Sequence, residues 1–164
     1  GQLFYANSSA VRLGNIFSDQ YIYVNRGVNG IEGSLSTAVG YAIAHQDEED
    51  VYCVIGDLSF FYDQNALWNE SLSPNLSILL LNNGGGGIFH QLSGLERSPY
   101  RDSAIGAEHT TSAEGVCQAH DIVYLSAHNL DKFFNSEEGP VLLEVFTNVE
   151  EDAQALKDYY QAFK

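Results

Sequence analysis

Residues 51–83 read VYCVIGDLSFFYDQNALWNESLSPNLSILLLNN, and this stretch decides the fold. The apolar runs Val51–Ile55 and Leu76–Leu81 each have the length and composition of a buried strand. Between them the apolar residues recur at helical spacing. A strand, a helix and a second strand in this order predict a parallel unit whose two strands end at the same edge of a sheet.

Polar residues follow each of these strands. Asp57 comes directly after the first, and Ser59 is then a candidate helix N-cap or phosphate donor. Asn82 and Asn83 follow the second strand and precede four glycines, which let a ligand approach the backbone closely. Because Mg²⁺ prefers oxygen ligands and shares them with phosphates, we predict a site for a metal and a diphosphate. Its protein ligands are the side chains of Asp57 and Asn83 and the carbonyl of Gly85.

A purely structural interpretation competes with this one. Asp57 can cap a helix, and Asn82-Asn83-Gly84 can form an ordinary turn. Each half of the motif alone favours that interpretation, whereas the spacing of the two halves together favours the metal site.

The rest of the chain alternates between strand and helix patterns. The predicted strands are Leu3–Ala6, Tyr21–Val24, Val51–Ile55, Leu76–Leu81, Ile122–Ser126 and Pro140–Phe146. The predicted helices are Ser9–Phe17, Ser34–His45, one following Asp57, Thr111–His120, Leu130–Asn135 and Glu150–Lys164, with a long loop from Gly84 to about Ala107. Six strands joined by crossover helices predict a doubly wound α/β domain, with a mostly parallel six-stranded sheet and helices on both faces.

Composition limits the classes of partner. The chain has 164 residues, of which 45% are hydrophobic, enough for the core of a single domain. Its 22 acidic and 7 basic residues give a net charge of −15, which argues against nucleic acid or an anionic membrane as a partner. A bound diphosphate therefore needs a local countercharge, which a metal ion and oriented backbone N–H groups supply.

The two cysteines, Cys53 and Cys117, lie in no motif with metal-ligand spacing, so we interpret both as reduced core residues. Reduced cysteines, together with the lack of a leader-like segment or a long apolar span, favour a cytoplasmic protein.

Gly56-Asp57, the intervening segment and then Asn82-Asn83 resemble the signature of thiamin diphosphate enzymes. The usual third residue of that signature is glycine, and Leu58 stands in its place.

Several segments resemble more narrowly the MenD family of these enzymes, which acts in menaquinone biosynthesis. They are NSSAVR (7–12), NRGVNGIEGSLSTAVGYA (25–42), GDLSFFYDQNALWN (56–69) and NNGGGGIFHQLSG (82–94). The resemblance runs from about Tyr5 to about Asn148 and is weakest in the last third. It implies that residues 1–164 are one diphosphate- and metal-binding domain, a fragment of a longer three-domain subunit.

The resemblance implies thiamin diphosphate and Mg²⁺ (or Mn²⁺) as cofactors. The residues that match the family's cofactor contacts are Gly30, Ile31, Gly56, Asp57, Leu58, Ser59, Asn83, Gly85, Ile88 and Phe89, with Asp57, Asn83 and Gly85 as the metal ligands. Ile31 would hold the cofactor in a bent shape, although its glycine-spaced loop is equally well explained as a plain strand-to-helix connection. Ile88 and Phe89 would form an apolar wall that favours loss of carbon dioxide, with ordinary core packing as the alternative.

The implied substrates are 2-oxoglutarate and isochorismate, which are both dicarboxylates. Ser8, Arg12 and Arg26 match the family's substrate-binding residues, and guanidinium groups suit carboxylates. Surface ion pairs with the many acidic residues are the alternative for the arginines. We assign no role to His90, His109, Arg97 or Arg101.

The implied reaction is a decarboxylation of 2-oxoglutarate followed by conjugate addition of the resulting carbanion to isochorismate, with the cofactor carrying the carbanion. The implied partners are the chain's own N-terminal and middle domains, in a homodimer or homotetramer. The family's activating glutamate belongs to the N-terminal domain of a neighbouring subunit, so we assign no catalytic residue here and expect the isolated chain to be inactive. Two alternatives stay open: another thiamin diphosphate decarboxylase or carboligase, and a non-catalytic nucleotide-binding or docking module of flavodoxin-like shape.

Overall fold

A computed structural model describes residues 1–27, 29–126, 130–136 and 138–162. Within these ranges the strands are β1 (Gln2–Tyr5), β2 (Ile22–Val24), β3 (Val51–Gly56), β4 (Leu76–Asn82), β5 (Val123–Ser126) and β6 (Val141–Phe146). The α-helices are α1 (Ser9–Phe17), α2 (Ser34–Ala44), α3 (Asp57–Asp63), α4 (Glu114–Ala119), α5 (Leu130–Phe134) and α6 (Val149–Gln161). A 3₁₀ segment, Gln64–Trp68, continues α3.

The strands form one sheet in the order β2-β1-β3-β4-β6-β5, and every pairing is parallel. The predicted doubly wound fold is confirmed, and the sheet is entirely rather than mostly parallel. β3 and β4 lie side by side, with Gly56 opposite Leu81, so their carboxyl ends meet at one edge. β1 is the other neighbour of β3, and the strand order reverses between them, which is where open α/β sheets bind ligands.

The main core lies on the face of the sheet covered by α2, α3 and α4. Alternate residues of β4 are buried, as expected for a strand whose two faces differ, and Ile78 and Leu80 are among those that face this core. The small residues Ala38 and Ala42 let α2 pack close to the sheet. On the opposite face a smaller cluster forms around Phe133 of α5.

Both cysteines are buried and free, as predicted. Burial raises the pKa of the Cys53 thiol to about 12, and burial also raises the pKa of Cys117 to about 12. Both groups therefore behave as apolar core atoms at neutral pH.

Two predicted elements differ from the structure. The helix predicted over Thr111–His120 begins only at Glu114. The carbonyl of Thr111 accepts from Asn82 Nδ2 rather than from a helical N–H, and Ser112 Oγ accepts from the N–H of Glu114 at the start of the helix. The segment predicted as a loop from Gly84 to about Ala107 contains three short helical turns, Gly87–Gln91, Leu95–Arg97 and Arg101–Ile105. The last two residues of the predicted helix Glu150–Lys164 lie outside the described residues.

In the part of the chain that the structure describes, no helix combines the length and the apolar composition that a membrane crossing requires.

Candidate metal and diphosphate site

Asp57 joins the ends of the two central strands. It follows β3 directly as the first residue of α3, and only 3% of its surface is exposed. Its Oδ1 accepts a hydrogen bond from the N–H of Leu58 at 2.7 Å, and its Oδ2 accepts one from the N–H of Gly85 at 2.9 Å. The second bond links the end of β3 to the glycine loop that follows β4. The two halves of the sequence motif therefore meet at one place.

The carboxylate of Asp57 is buried with little compensating positive charge. Burial raises its pKa, while the N–H of Leu58 and the neighbouring His109 act in the opposite direction. His109 Nδ1 accepts from the N–H of Thr111 at 3.1 Å, which leaves the ring proton on Nε2. Nε2 lies 3.3 Å from Asp57 Oδ2, but it makes no aligned hydrogen bond. A cation at this position would relieve the cost of the buried negative charge.

The glycine loop Gly84–Gly87 packs directly against the segment 106–109. The carbonyl of Gly84 accepts from the N–H of His109 at 2.9 Å, and the N–H of Gly86 donates to the carbonyl of Gly106 at 2.7 Å. Gly84 has a φ of +80°, which disfavours other residues, and a Cβ on Gly85 would lie 2.9 Å from the Gly106 oxygen. The glycine loop can therefore pack against the segment 106–109 only because Gly85 carries no side chain.

The two asparagines have different partners. Asn82 is buried, and its Nδ2 donates to the carbonyl of Thr111 at 2.9 Å and to Glu144 Oε1 at 2.7 Å, while its Oδ1 accepts from the N–H of Gly84. Asn83 is half-buried, and its Nδ2 donates to Asp152 Oδ2 at 3.1 Å. Both the nitrogen and the oxygen of the Asn82 side chain thus have partners within the protein, which makes Asn83 the better candidate of the pair for a metal ligand.

Glu144 is fully buried in β6 and is not among the site residues predicted from the sequence. Its carboxylate accepts from Asn82 Nδ2, from Ser112 Oγ at 2.7 Å, from Tyr124 OH at 2.8 Å and from the N–H of Ala113 at 3.2 Å. It therefore ties β6 to both the asparagine pair and the segment before α4. An acidic residue inside the apolar run PVLLEVF was the available signal, because buried carboxylates almost always have partners.

The other residues predicted to contact the cofactor lie at the same edge, with one correction. Ser59 is buried inside α3, where Gly56 is the N-cap, so the interpretation of Ser59 as an N-cap is wrong. The helix begins at Asp57, three residues earlier than that interpretation requires, and the side chain of Asp57 accepts from the N–H of Leu58. Gly56 ends β3, and Leu58 is half-buried in the first turn of α3.

Ile88 and Phe89 lie in the helical turn that follows the glycine loop, and both are half-buried. The Phe89 ring covers Gly86 so closely that a Cβ there would lie 2.6 Å from it. The position fits either an apolar wall or local packing.

Ser8 occupies a strained position at the end of β1, next to the end of β3. Its φ of 71° and ψ of −128° are rare for a residue other than glycine, and such strain concentrates at functional sites. The neighbouring Asn7 donates from Nδ2 to the carbonyls of Gly30 and Asn25, at 2.6 and 3.1 Å. These bonds bring the loop that contains Gly30 and Ile31 to the end of β1.

The two arginines predicted to bind substrate flank this strand end. Arg12 lies in the first turn of α1, and Arg26 follows β2 with its guanidinium donating to Asn29 Oδ1 at 3.2 Å. Among the described residues neither arginine forms an ion pair, whereas Arg101 pairs with Asp102. The described part of the chain therefore does not support the alternative, in which Arg12 and Arg26 pair with surface acids.

Comparison with known proteins agrees with this geometry. The family model described as thiamine pyrophosphate enzyme, C-terminal TPP binding domain, matches residues 8–145. The 2-succinyl-5-enolpyruvyl-6-hydroxy-3-cyclohexene-1-carboxylate synthase of Bacteroides thetaiotaomicron is 49% identical over 174 residues, covering 99% of this chain and 31% of that protein. The enzyme of the same name from Christiangramia forsetii is 40% identical over 172 residues, covering 99% and 30%.

The chain thus spans about a third of the length of these curated relatives. The family match extends over most of its 164 residues and includes Asp57, both asparagines and the glycine loop. The chain therefore belongs to the thiamine pyrophosphate enzyme family, as a C-terminal TPP-binding domain.

Proposed function

We propose that this chain is the cofactor-binding domain of a 2-succinyl-5-enolpyruvyl-6-hydroxy-3-cyclohexene-1-carboxylate synthase of menaquinone biosynthesis. The observation that carries the proposal is the hydrogen bond from Gly85 to Asp57, which unites the two halves of the thiamin diphosphate motif at one sheet edge. The identity of 49% to relatives of that name supports the choice within the family.

Asp57, Asn83 and the carbonyl of Gly85 would hold Mg²⁺ or Mn²⁺, and the metal would hold the cofactor diphosphate. Two observations support a cation at these residues. The Asp57 carboxylate is buried, and that burial raises its pKa, so a cation would relieve the cost of its charge. The hydrogen bond from Gly85 to Asp57 holds the glycine loop beside that carboxylate. Gly56, Leu58 and Ser59 would contact the diphosphate, and thiamin diphosphate supplies the carbanion chemistry when it is bound.

The neighbouring strand ends would bind substrate. Gly30 and Ile31 would lie against the pyrimidine half of the cofactor, and Ile88 and Phe89 would keep water from its thiazolium half. Arg12, Arg26 and the hydroxyl of Ser8 would bind the carboxylates of 2-oxoglutarate and isochorismate. Because the chain has a net charge of −15, dicarboxylates need local cations, and these two guanidinium groups have no acidic partner in the described ranges.

The proposed reaction decarboxylates 2-oxoglutarate and adds the resulting carbanion to isochorismate. It requires the N-terminal and middle domains of a longer, cytoplasmic, homo-oligomeric subunit, in keeping with relatives about three times the length of this chain. The 164-residue chain alone should therefore show no turnover.

Calorimetry on the full-length subunit tests this proposal. Thiamin diphosphate should bind only when Mg²⁺ or Mn²⁺ is present, and Asp57→Asn, which keeps the shape of the side chain but removes its charge, should weaken binding by at least about 100-fold. Binding that is unchanged by Asp57→Asn, or binding of a nucleotide in place of thiamin diphosphate, would overturn the metal site.

Substrate choice is tested separately with a panel of 2-oxoacids, offered with and without isochorismate. Preference for 2-oxoglutarate, lost in Arg12→Leu and Arg26→Leu, is the expected result. Equal or better turnover of a monocarboxylic 2-oxoacid would favour the alternative of another decarboxylase or carboligase.

A further inference from the structure

One side chain of the C-terminal helix α6, that of Asp152, contacts the proposed metal ligand Asn83. Asp152, in the first turn of α6, accepts from Asn83 Nδ2 at 3.1 Å and from Thr147 Oγ1 at 2.8 Å, both on its Oδ2. The sequence offers no motif at Asp152, because it is one of three consecutive acids at a helix start, where acids are common.

An asparagine side chain can present either its oxygen or its amide nitrogen to a ligand. Only the oxygen can bind a cation, and the two orientations differ by a half-turn about the last bond of the side chain. A carboxylate accepts hydrogen bonds but does not donate them, so Asp152 requires the nitrogen of Asn83 to face it. The same contact leaves Asn83 Oδ1 as the acceptor on the opposite side of the amide.

The position of α6 that makes this contact is itself well defined. Asn148 caps the helix, with its Oδ1 accepting from the N–H groups of Glu150 and Glu151 at 3.0 and 3.1 Å. Val149 is 7% exposed, and the N–H of Thr147 donates to the carbonyl of Asn82 at 2.9 Å. The start of α6 is thus tied to the end of β4.

The glycine loop packs against the same Asn83 amide that donates to Asp152. A Cβ on Gly87 would lie 2.9 Å from Asn83 Nδ2 and 3.9 Å from Val149 Cγ1. The glycine loop, the Asn83 amide and the start of α6 therefore pack against one another with no room for a side chain at Gly87.

We propose that Asp152 is a positioning residue, which holds the Asn83 amide so that Oδ1 is presented to the metal. This inference rests on the proposed function of the Asp57 edge. It makes α6 part of the cofactor site, although none of the proposed metal ligands lies in α6.

Three variants of the full-length subunit test it, with calorimetric titration of Mg²⁺ at fixed thiamin diphosphate as the readout. Asp152→Ala removes the acceptor and should raise the Mg²⁺ concentration for half-saturation about 10- to 100-fold, the range typical of partners that orient metal ligands. Asp152→Asn keeps an oxygen that can accept from Asn83, and it should stay within about threefold of the natural protein.

Glu151→Ala is the matched control. Glu151 is exposed in the same helical turn and carries the same charge, and its side chain takes no part in the contact with Asn83. This variant should leave half-saturation unchanged, and it shows what the loss of one negative charge from this helical turn does by itself.

A double substitution separates positioning from general damage. On an Asn83→Ala background, Asp152→Ala should cause no further loss of Mg²⁺ affinity, because there is no amide left to orient. The proposal is overturned if Glu151→Ala weakens binding as much as Asp152→Ala, if Asp152→Ala binds Mg²⁺ normally, or if the two losses simply add. Binding by the unsubstituted subunit tests the proposed function, whereas the ratios among variants test the role of Asp152.

Discussion

Replacing Glu144 with alanine should lower the free energy of unfolding of the chain by about 2–6 kcal/mol. Two of the donors that Glu144 accepts from, Asn82 Nδ2 and the N–H of Ala113, are buried and fixed, and each would lose a partner. An unsatisfied buried donor costs about 1–3 kcal/mol. The hydroxyls of Ser112 and Tyr124 add little, because their oxygens lie 3.5 Å apart and can rotate to bond to each other.

Glu144→Gln should cost much less, about 1–2 kcal/mol. Its amide oxygen can occupy the position of Oε1, where Asn82 and Ala113 both donate. Its NH₂ group then takes the position of Oε2, where the two hydroxyls can turn to accept. The difference between the alanine and glutamine variants thus measures the cost of leaving fixed donors unpaired rather than the loss of a charge.

Urea unfolding followed by circular dichroism gives these energies, with equal slopes required for all variants. Tyr124→Phe is the control, since it removes one rotatable hydroxyl and should cost about 0.5–1.5 kcal/mol. The reasoning is refuted if Glu144→Gln is as damaging as Glu144→Ala, or if Glu144→Ala is no worse than Tyr124→Phe.

Three further predictions concern the same sheet edge. Gly85→Ala should destabilise the chain by about 1–3 kcal/mol and weaken metal-dependent cofactor binding, because the new Cβ meets the fixed Gly106 carbonyl at 2.9 Å; thermal unfolding and calorimetry check the two effects. Ser8→Gly should raise the free energy of unfolding by about 1 kcal/mol by relieving a φ of 71°, yet impair substrate binding. Ser9→Gly, at the first position of α1, relieves no such strain and should change the free energy of unfolding by less than about 0.5 kcal/mol. Urea titrations in which Ser8→Gly is no more stable than Ser9→Gly would contradict the strain argument. Burial raises the pKa of Asp57 above its unfolded value of about 4. The metal-free chain should therefore lose stability relative to Asp57→Asn as the pH rises from the unfolded pKa through the folded pKa. Urea midpoints of both proteins, measured from acid to neutral pH, check the direction of this change.

Much of the fold could be predicted from the local pattern of apolar and polar residues. The strand–helix–strand unit around Asp57 and the alternation along the chain predicted the six strands to within about two residues at each end, because periodic burial is written into the order of apolar residues. The spacing of Asp57 and the asparagine pair likewise predicted that they share an edge, since parallel strands end on the same side.

The helical turns between Gly84 and Ala107 could not be predicted in this way. Their short runs of three to five residues have no periodicity, and they form where the chain folds back over the glycine loop. The same holds for the late start of α4, because the carbonyl of Thr111 bonds to Asn82, which is distant in sequence.

The sequence by itself determined the fold class, the ends of the strands and the placement of Asp57 beside the asparagine pair, because all of these follow from short-range periodicity and residue type. Only the tertiary structure decided the strand order and the partners of the two asparagines. Glu144 and Asp152 are 62 and 69 positions from the asparagines that they contact. Contacts over such separations depend on how the sheet is assembled. The apolar run around Glu144 indicates that this carboxylate is buried but not what it contacts, and Asp152 is one of three consecutive acids that no local pattern distinguishes.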